Sequence, residues 1–178
     1  MSPNRYAGIV VLILDCCRWL ESTAVSVGIR ESVWTYPIIE SVHVLGLSLF
    51  MGLLLLWDLR LVGFTLRKIP VSRMWRGLFP WISFGAVIMI ASGVLLFWSD
   101  PVRFYGNVFF RVKVVGLALA LANAMAFHFG IERSLVQWDT QSPPPPAARV
   151  AGAASIALWA AIIVVGRLVA YNWFKPLI

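Results

Sequence analysis

Residues 36–62 read YPIIESVHVLGLSLFMGLLLLWDLRLV. Between Val44 and Trp57 this stretch holds no ionisable side chain. As a whole it exceeds the roughly 20 mainly apolar residues that a helix needs to cross a bilayer. The chain has three further stretches of the same kind: Leu78–Trp98 (LFPWISFGAVIMIASGVLLFW), about 108–131 and about 150–171. The segments between them are short. Residues 63–77 are basic, 99–107 carry Asp100, Pro101 and Gly106, and 136–149 contain the proline run 143–146. Consecutive prolines cannot continue a helix and favour an extended spacer. Short connections make neighbouring helices antiparallel. The expected fold class is therefore all-α, an integral membrane four-helix up-down bundle over residues 36–178.

Composition supports the same reading. Of 178 residues, 60% are hydrophobic and 13% are charged, and the mean hydropathy is +0.83. Soluble domains are nearer half apolar and about a quarter charged. A chain of 19.8 kDa cannot enclose that much apolar surface, nor does its length leave room for a separate soluble catalytic module. The net charge of +7, from 15 Lys and Arg against 8 Asp and Glu, belongs to short loops at a membrane surface; no nucleic-acid partner is expected. Cys16 and Cys17 are adjacent, a spacing that rarely bridges without strain and makes no metal framework.

Residues 1–35 differ from the rest. Ala7–Leu14 is apolar but short, and Asp15, Arg18 and Glu21 break the pattern after it. A cleaved secretory signal has an apolar region of that size, but no A-x-A site comes after it, and Asp15 before Cys16 spoils a lipoprotein-like one. An amphipathic helix lying in the interface is the preferred expectation over a cleaved signal or a fifth crossing. For orientation, Arg67, Lys68, Arg73 and Arg76 in an acid-free loop favour the cytoplasmic side for residues 63–77, with both termini outside. Arg5, Arg18, Arg30, Arg103, Arg111 and Lys113 at the other face nearly balance them. The expected location is a bacterial inner membrane. Trp34, Trp57, Trp81, Trp98 and Trp173 fall at the expected span ends, where aromatic belts sit.

Ionisable groups inside spans are costly and mark function by default, unless they snorkel to the interface. Glu40 and His43, at i and i+3, lie on neighbouring parts of one helical face. Such a pair binds a metal, orients a ligating imidazole, or forms a buried hydrogen-bonded pair. Arg111, Lys113 and Arg167 belong to the same membrane half in an up-down bundle, giving one polar layer suited to an anionic group such as a phosphate or carboxylate. A second layer holds Asp58, Asn123, His128, Glu132 and Arg133. Asp58 in WDLR reads as an interfacial anchor. Gly116, Ala120 and Ala124 give the third span a close-packing face leading to His128.

The two histidines, His43 and His128, both lie in spans and invite a bis-histidine haem. Their spans run parallel, however, and at 1.5 Å per residue the imidazoles differ in height by roughly 13–20 Å. A better haem hypothesis makes His43 the single iron ligand, with Arg111, Lys113 and Arg167 at a height suited to propionates. The sixth position is then open or taken by a second-span group such as Met89.

The stretch WTYPIIESVHVLGLSLFMGLLLLWDLRLVG, then LFPW, FRVK and GRLVAY, resembles an uncharacterised bacterial family of four-span membrane proteins, a domain of unknown function. The first and third spans also look like the CopD copper-resistance membrane proteins and the HemJ-type protoporphyrinogen oxidases. The residues concerned are His43, Gly46, Gly52 and Arg60 in the first span, and Lys113 with Asn123 in the third. HemJ-type proteins bind haem b, so this resemblance implies haem at His43. Three functions stand as expectations. The first is a membrane redox protein with haem b, exchanging electrons with quinone or with partners in a larger membrane complex. The others are a small metal or ion transporter and a non-catalytic accessory or assembly subunit. No Ser-His-acid spacing or Gly-rich phosphate loop supports hydrolysis.

Overall fold

The computed structural model describes residues 3–131 and 135–171. Helix α1 spans Pro3–Glu21, α2 Ala24–Glu31, α3 Thr35–Val62 and α4 Val71–Ser99. The short α5 covers Pro101–Gly106, followed by α6 Val108–Ala126, which continues into a π-helical turn Phe127–Ile131. Then come the four-residue α7, Leu135–Trp138, and α8, Pro146–Leu168. No strand occurs among the described residues. Helices α3, α4, α6 (to Gly130) and α8 are long and apolar enough to cross a membrane, and only 6–22% of each apolar stretch is buried. A water-soluble bundle would hide that surface, whereas in a bilayer the lipid tails cover it.

The packing follows small residues. Helix α3 packs along α4 and α8, and α8 packs along α6. A side chain at Gly46 would meet Ile88 Cγ2 at 2.8 Å and the Met89 nitrogen at 3.1 Å; one at Gly85 would meet the Phe50 nitrogen at 2.9 Å. Pairs 46/89 and 50/85 run in opposite directions, so α3 and α4 are antiparallel. Gly152 on α8 accommodates the Asp58 carbonyl and Leu61 of α3, while Gly116 on α6 accommodates Ile162 of α8. At the end of the bundle away from α1, Trp57, Leu61, Val71, Met74, Trp138 and Ala148 form the buried core.

Several local features were beyond expectation. Helix α4 starts at Val71, seven residues before the expected span, because Asp139 accepts from Ser72 N at 2.7 Å and Ser72 Oγ at 2.8 Å. Arg73 and Arg76 therefore stand on the first turns of α4 and not in a loop. Helix α3 ends on left-handed Gly63, against which Pro144 packs at 3.0 Å from a would-be Cβ; the prolines dock as a spacer and the last, Pro146, opens α8. The first 35 residues form two helices and not one: Thr23 Oγ1 caps α2, and Ser26 Oγ donates to the Ser99 carbonyl at 3.1 Å. Burial pushes the Cys17 thiol up, helped by Cys16 and Glu21, which keeps it protonated and inert. Trp57, expected in an aromatic belt, is only 5% exposed because it packs on Trp75 and Phe127. Trp34 and Trp81 do face outward, and Trp173 lies outside the described residues.

These contacts separate two glycines by sign. Gly85→Ala puts a methyl into the backbone of α3 and is expected to lower stability by about 1–3 kcal/mol. Gly52, with open space around it, should tolerate alanine with a gain of about 0.5–1 kcal/mol from helix propensity. Thermal unfolding of both variants in one detergent checks the difference.

Candidate functional site

His43 leaves the α3–α4 seam one turn from Gly46. Its Nδ1 lies 3.0 Å from Ser92 Oγ, and its Cε1 faces Gly93, 3.1 Å from where a Cβ would sit. Ser92 Oγ has one proton, and that proton goes to the α4 backbone, to the Ile88 carbonyl at 2.6 Å and more weakly to Met89 at 3.2 Å. With that proton on the backbone, the Ser92 oxygen can accept from Nδ1–H, and the Met89 backbone also hydrogen-bonds the ring. In that tautomer Nε2 carries the lone pair, the arrangement in which a histidine ligates a metal while a neighbouring acceptor holds its other ring nitrogen.

Lys113 and Glu40 are the charged groups within electrostatic range of the ring. Lys113 is half-buried, and its Cε and Nζ lie 3.6 Å from a would-be Cβ on Gly166 of α8. It has no ion pair among the described residues. His43 and Lys113 thus share one height, reached from α3 and α6. Just beyond them Phe97, Phe104 and Phe110 cluster, with Phe97 and Phe110 stacked at 5.4 Å. On the outer side of the α3–α4 seam, Ile38, Val42, Ala91 and Leu95 help line an open apolar groove of about 270 Å³ that reaches Ser92.

The other residues of the expected polar layer lie elsewhere. Arg111 donates through Nε to the Tyr105 carbonyl at 2.8 Å and stacks over the Tyr105 ring at 4.7 Å, so α5 holds it. Glu40 is exposed on the outer face of α3, and Arg167 is exposed at the end of α8. Met89 sits on α4, where its backbone hydrogen-bonds the His43 ring.

The second layer is more buried than the sequence reading allowed. Asp58 is 4% exposed and Arg60 is 0% exposed, so WDLR is no surface anchor. Asp58 faces the Ser155 hydroxyl of α8. Arg60 Nε donates to the Ile69 carbonyl at 3.0 Å, and its two terminal nitrogens have no hydrogen-bond partner among the described residues. Asn123 donates to the Ala151 carbonyl at 3.1 Å. His128 is exposed on the π-helical turn, beside Phe129. Glu132 and Arg133 lie outside the described residues. His128 is fifteen residues from Lys113, roughly 22 Å along α6, so the two histidines do not meet. Among the described residues no three His, Cys, Asp or Glu side chains converge on a metal position; a haem iron needs only one such ligand.

Fold and span composition define a multi-pass, all-α membrane protein. Residues 21–172 match a family of unknown function, DUF6644, and the chain belongs to that family. No curated protein and no solved structure matches it, and the resemblance to CopD and HemJ-type proteins is not shown by these comparisons.

Sequence reasoning named His43 and Lys113 but not Ser92, whose contact with His43 depends on which helix faces it. In protein carrying ¹⁵N-histidine, His43 is expected to give one protonated Nδ1 and one bare Nε2 resonance, and Ser92→Ala a mixture of both tautomers. Tautomer mixing already present in the unaltered protein would remove the argument for a preset ligand.

Proposed function

We propose that this protein binds haem b through His43 Nε2 and serves as an electron-transfer subunit in a bacterial inner membrane. The observation that carries the reading is the 3.0 Å contact between His43 Nδ1 and Ser92 Oγ in an apolar span, which suits the tautomer with its lone pair on Nε2. The donor set suits the group: an imidazole oriented by a second residue, glycine against the ring, and a cation one helix away for a propionate carboxylate. Haem, when bound, supplies one-electron chemistry at iron. The chain's own residues orient the imidazole (Ser92), leave space at its edge (Gly93), and offer an ammonium for an anion (Lys113). The Phe97–Phe104–Phe110 cluster shields this layer from water at the nearer membrane face. Quinone or a neighbouring subunit is the proposed electron partner.

A second reading, an accessory subunit of a larger complex, has its own support. Glu40 sits inside a span with its side chain on the outer surface, where a carboxylate facing lipid costs several kcal/mol and a partner helix would relieve it.

We further propose that residues 63–77 face the cytoplasm, with both termini outside. Support comes from ion pairing: the basic residues Arg18, Arg30 and Arg103 at the opposite end are each paired with an acid, whereas Arg67, Lys68, Arg73 and Arg76 have no such pair among the described residues. Labelling of Lys68→Cys, in a Cys16→Ser/Cys17→Ser background, in spheroplasts with an impermeant maleimide should fail until the membrane is opened.

Visible spectra test the main reading. Protein purified from haem-replete cells is expected to show a Soret band and a reduced α-band. His43→Ala should lose both, and Lys113→Ala should retain less haem while keeping the band positions. A colourless protein under those conditions would sink the haem proposal and leave the accessory reading.

A further inference from the structure

The end of the bundle opposite α1 exposes Arg67, Lys68, Arg73, Arg76 and, at the start of α8, Arg149. Two of these arginines are fastened to the backbone through Nε alone: Arg67 to the Gly63 carbonyl and Arg76 to the Ser72 carbonyl at 3.4 Å. Each therefore keeps both terminal nitrogens for another acceptor, and a guanidinium held in this way presents a fork suited to two phosphate oxygens. Among the described residues the acids nearby do not neutralise them. Asp58 is buried against α8, and Asp139 is occupied by the Ser72 amide and hydroxyl. Beneath the same loop, the buried Arg60 adds a positive charge whose terminal nitrogens have no acceptor among the described residues.

Apolar side chains are interleaved with these cations. Phe64 is 75% exposed, and Leu66, Ile69 and Phe79 also face outward. Phe64, Leu66 and Ile69 stand between the end of α3 at Val62 and the start of α4 at Val71, with Phe79 about two turns further along α4. A water-soluble polyanion would meet the charges but leave the aromatic and aliphatic groups in water. A phospholipid satisfies both, with its phosphate on the forks and its acyl chains against Phe64 and Leu66. We infer that this face is a binding surface for anionic phospholipids, recognised by the headgroup phosphate and held by Arg67, Lys68, Arg73 and Arg76.

The test uses the full chain in nanodiscs of mixed phosphatidylcholine and phosphatidylglycerol, with gentle detergent extraction and mass spectrometry of the retained lipids. Phosphatidylglycerol is expected to be enriched on the protein over the bulk mixture. Each neutralised cation should lower its affinity about fivefold, so R67Q/K68Q/R73Q/R76Q loses the enrichment. A triple variant, R67K/R73K/R76K, keeps the charge and much of the binding, which separates electrostatics from misfolding. R18Q/R103Q, at the opposite end, keeps it in full. Equal retention of both lipids by the unaltered protein, or unchanged enrichment in the quadruple glutamine variant, would overturn the inference. So would displacement of phosphatidylglycerol by inorganic phosphate beyond that caused by chloride at the same ionic strength, since the surface would then recognise the free ion and not a lipid.

Discussion

The approach of α3 to α4 through Gly46 and Gly85 is the contact on which the candidate site depends. Inside a bilayer, apolar side chains gain nothing by leaving lipid for one another, so helices associate by close van der Waals fit and by polar contacts. A methyl group at either glycine would collide with the partner helix at 2.8–2.9 Å; only hydrogen lets the backbones come this near. One turn along the same seam, the short spacing brings the His43 ring to Ser92 and Gly93. Widening the seam by the size of one methyl would take Nδ1 out of hydrogen-bond range, and the imidazole tautomer would no longer be specified.

The same device recurs. Three polar residues in the spans lie against a glycine of a neighbouring helix: His43 against Gly93, Lys113 against Gly166, and the backbone of Asp58 against Gly152. These glycines have ordinary helical backbones, so their role is space and not conformational freedom. Gly93 and Gly166 give the His43 and Lys113 side chains room between helices, and Gly152 lets the α3 backbone come close to α8.

The spans were legible because hydropathy over some twenty residues reflects the solvent around a helix and needs no knowledge of its neighbours. Features set by distant parts of the chain were not legible. The early start of α4 is set by Asp139, which is separated from Ser72 by two spans. The burial of Trp57, Asp58 and Arg60 is set by α8 and by the segment after α6. The polar layer failed as a single cluster for a related reason. Residues at i and i+3 are about 60° apart around a helix, enough to turn His43 into the α4 seam and leave Glu40 on the outer surface. Height along the membrane can be counted from sequence; azimuth relative to neighbours requires the packing order α4–α3–α8–α6.

Lys113 decides whether the candidate site is more than a polar contact. One explanation is local: its ammonium lies beside Gly166, in the last turn of α8, where free carbonyls and the helix dipole favour a cation. That interaction is worth about 0.3–1 kcal/mol, reaching about 2 kcal/mol in partly buried geometry. A charge held within a span costs several kcal/mol by insertion scales. The helix end therefore offsets only part of the cost, and no acid among the described residues supplies the rest through an ion pair. Snorkelling relieves such a charge when the side chain runs freely to the interface, but Lys113 is half-buried and sits one turn inside the Phe97–Phe104–Phe110 cluster. In the proposed haem complex, a propionate carboxylate beside Lys113 would offset the remainder. That is the ground for proposing the two residues as one site and not as two unrelated polar positions in a lipid-facing bundle.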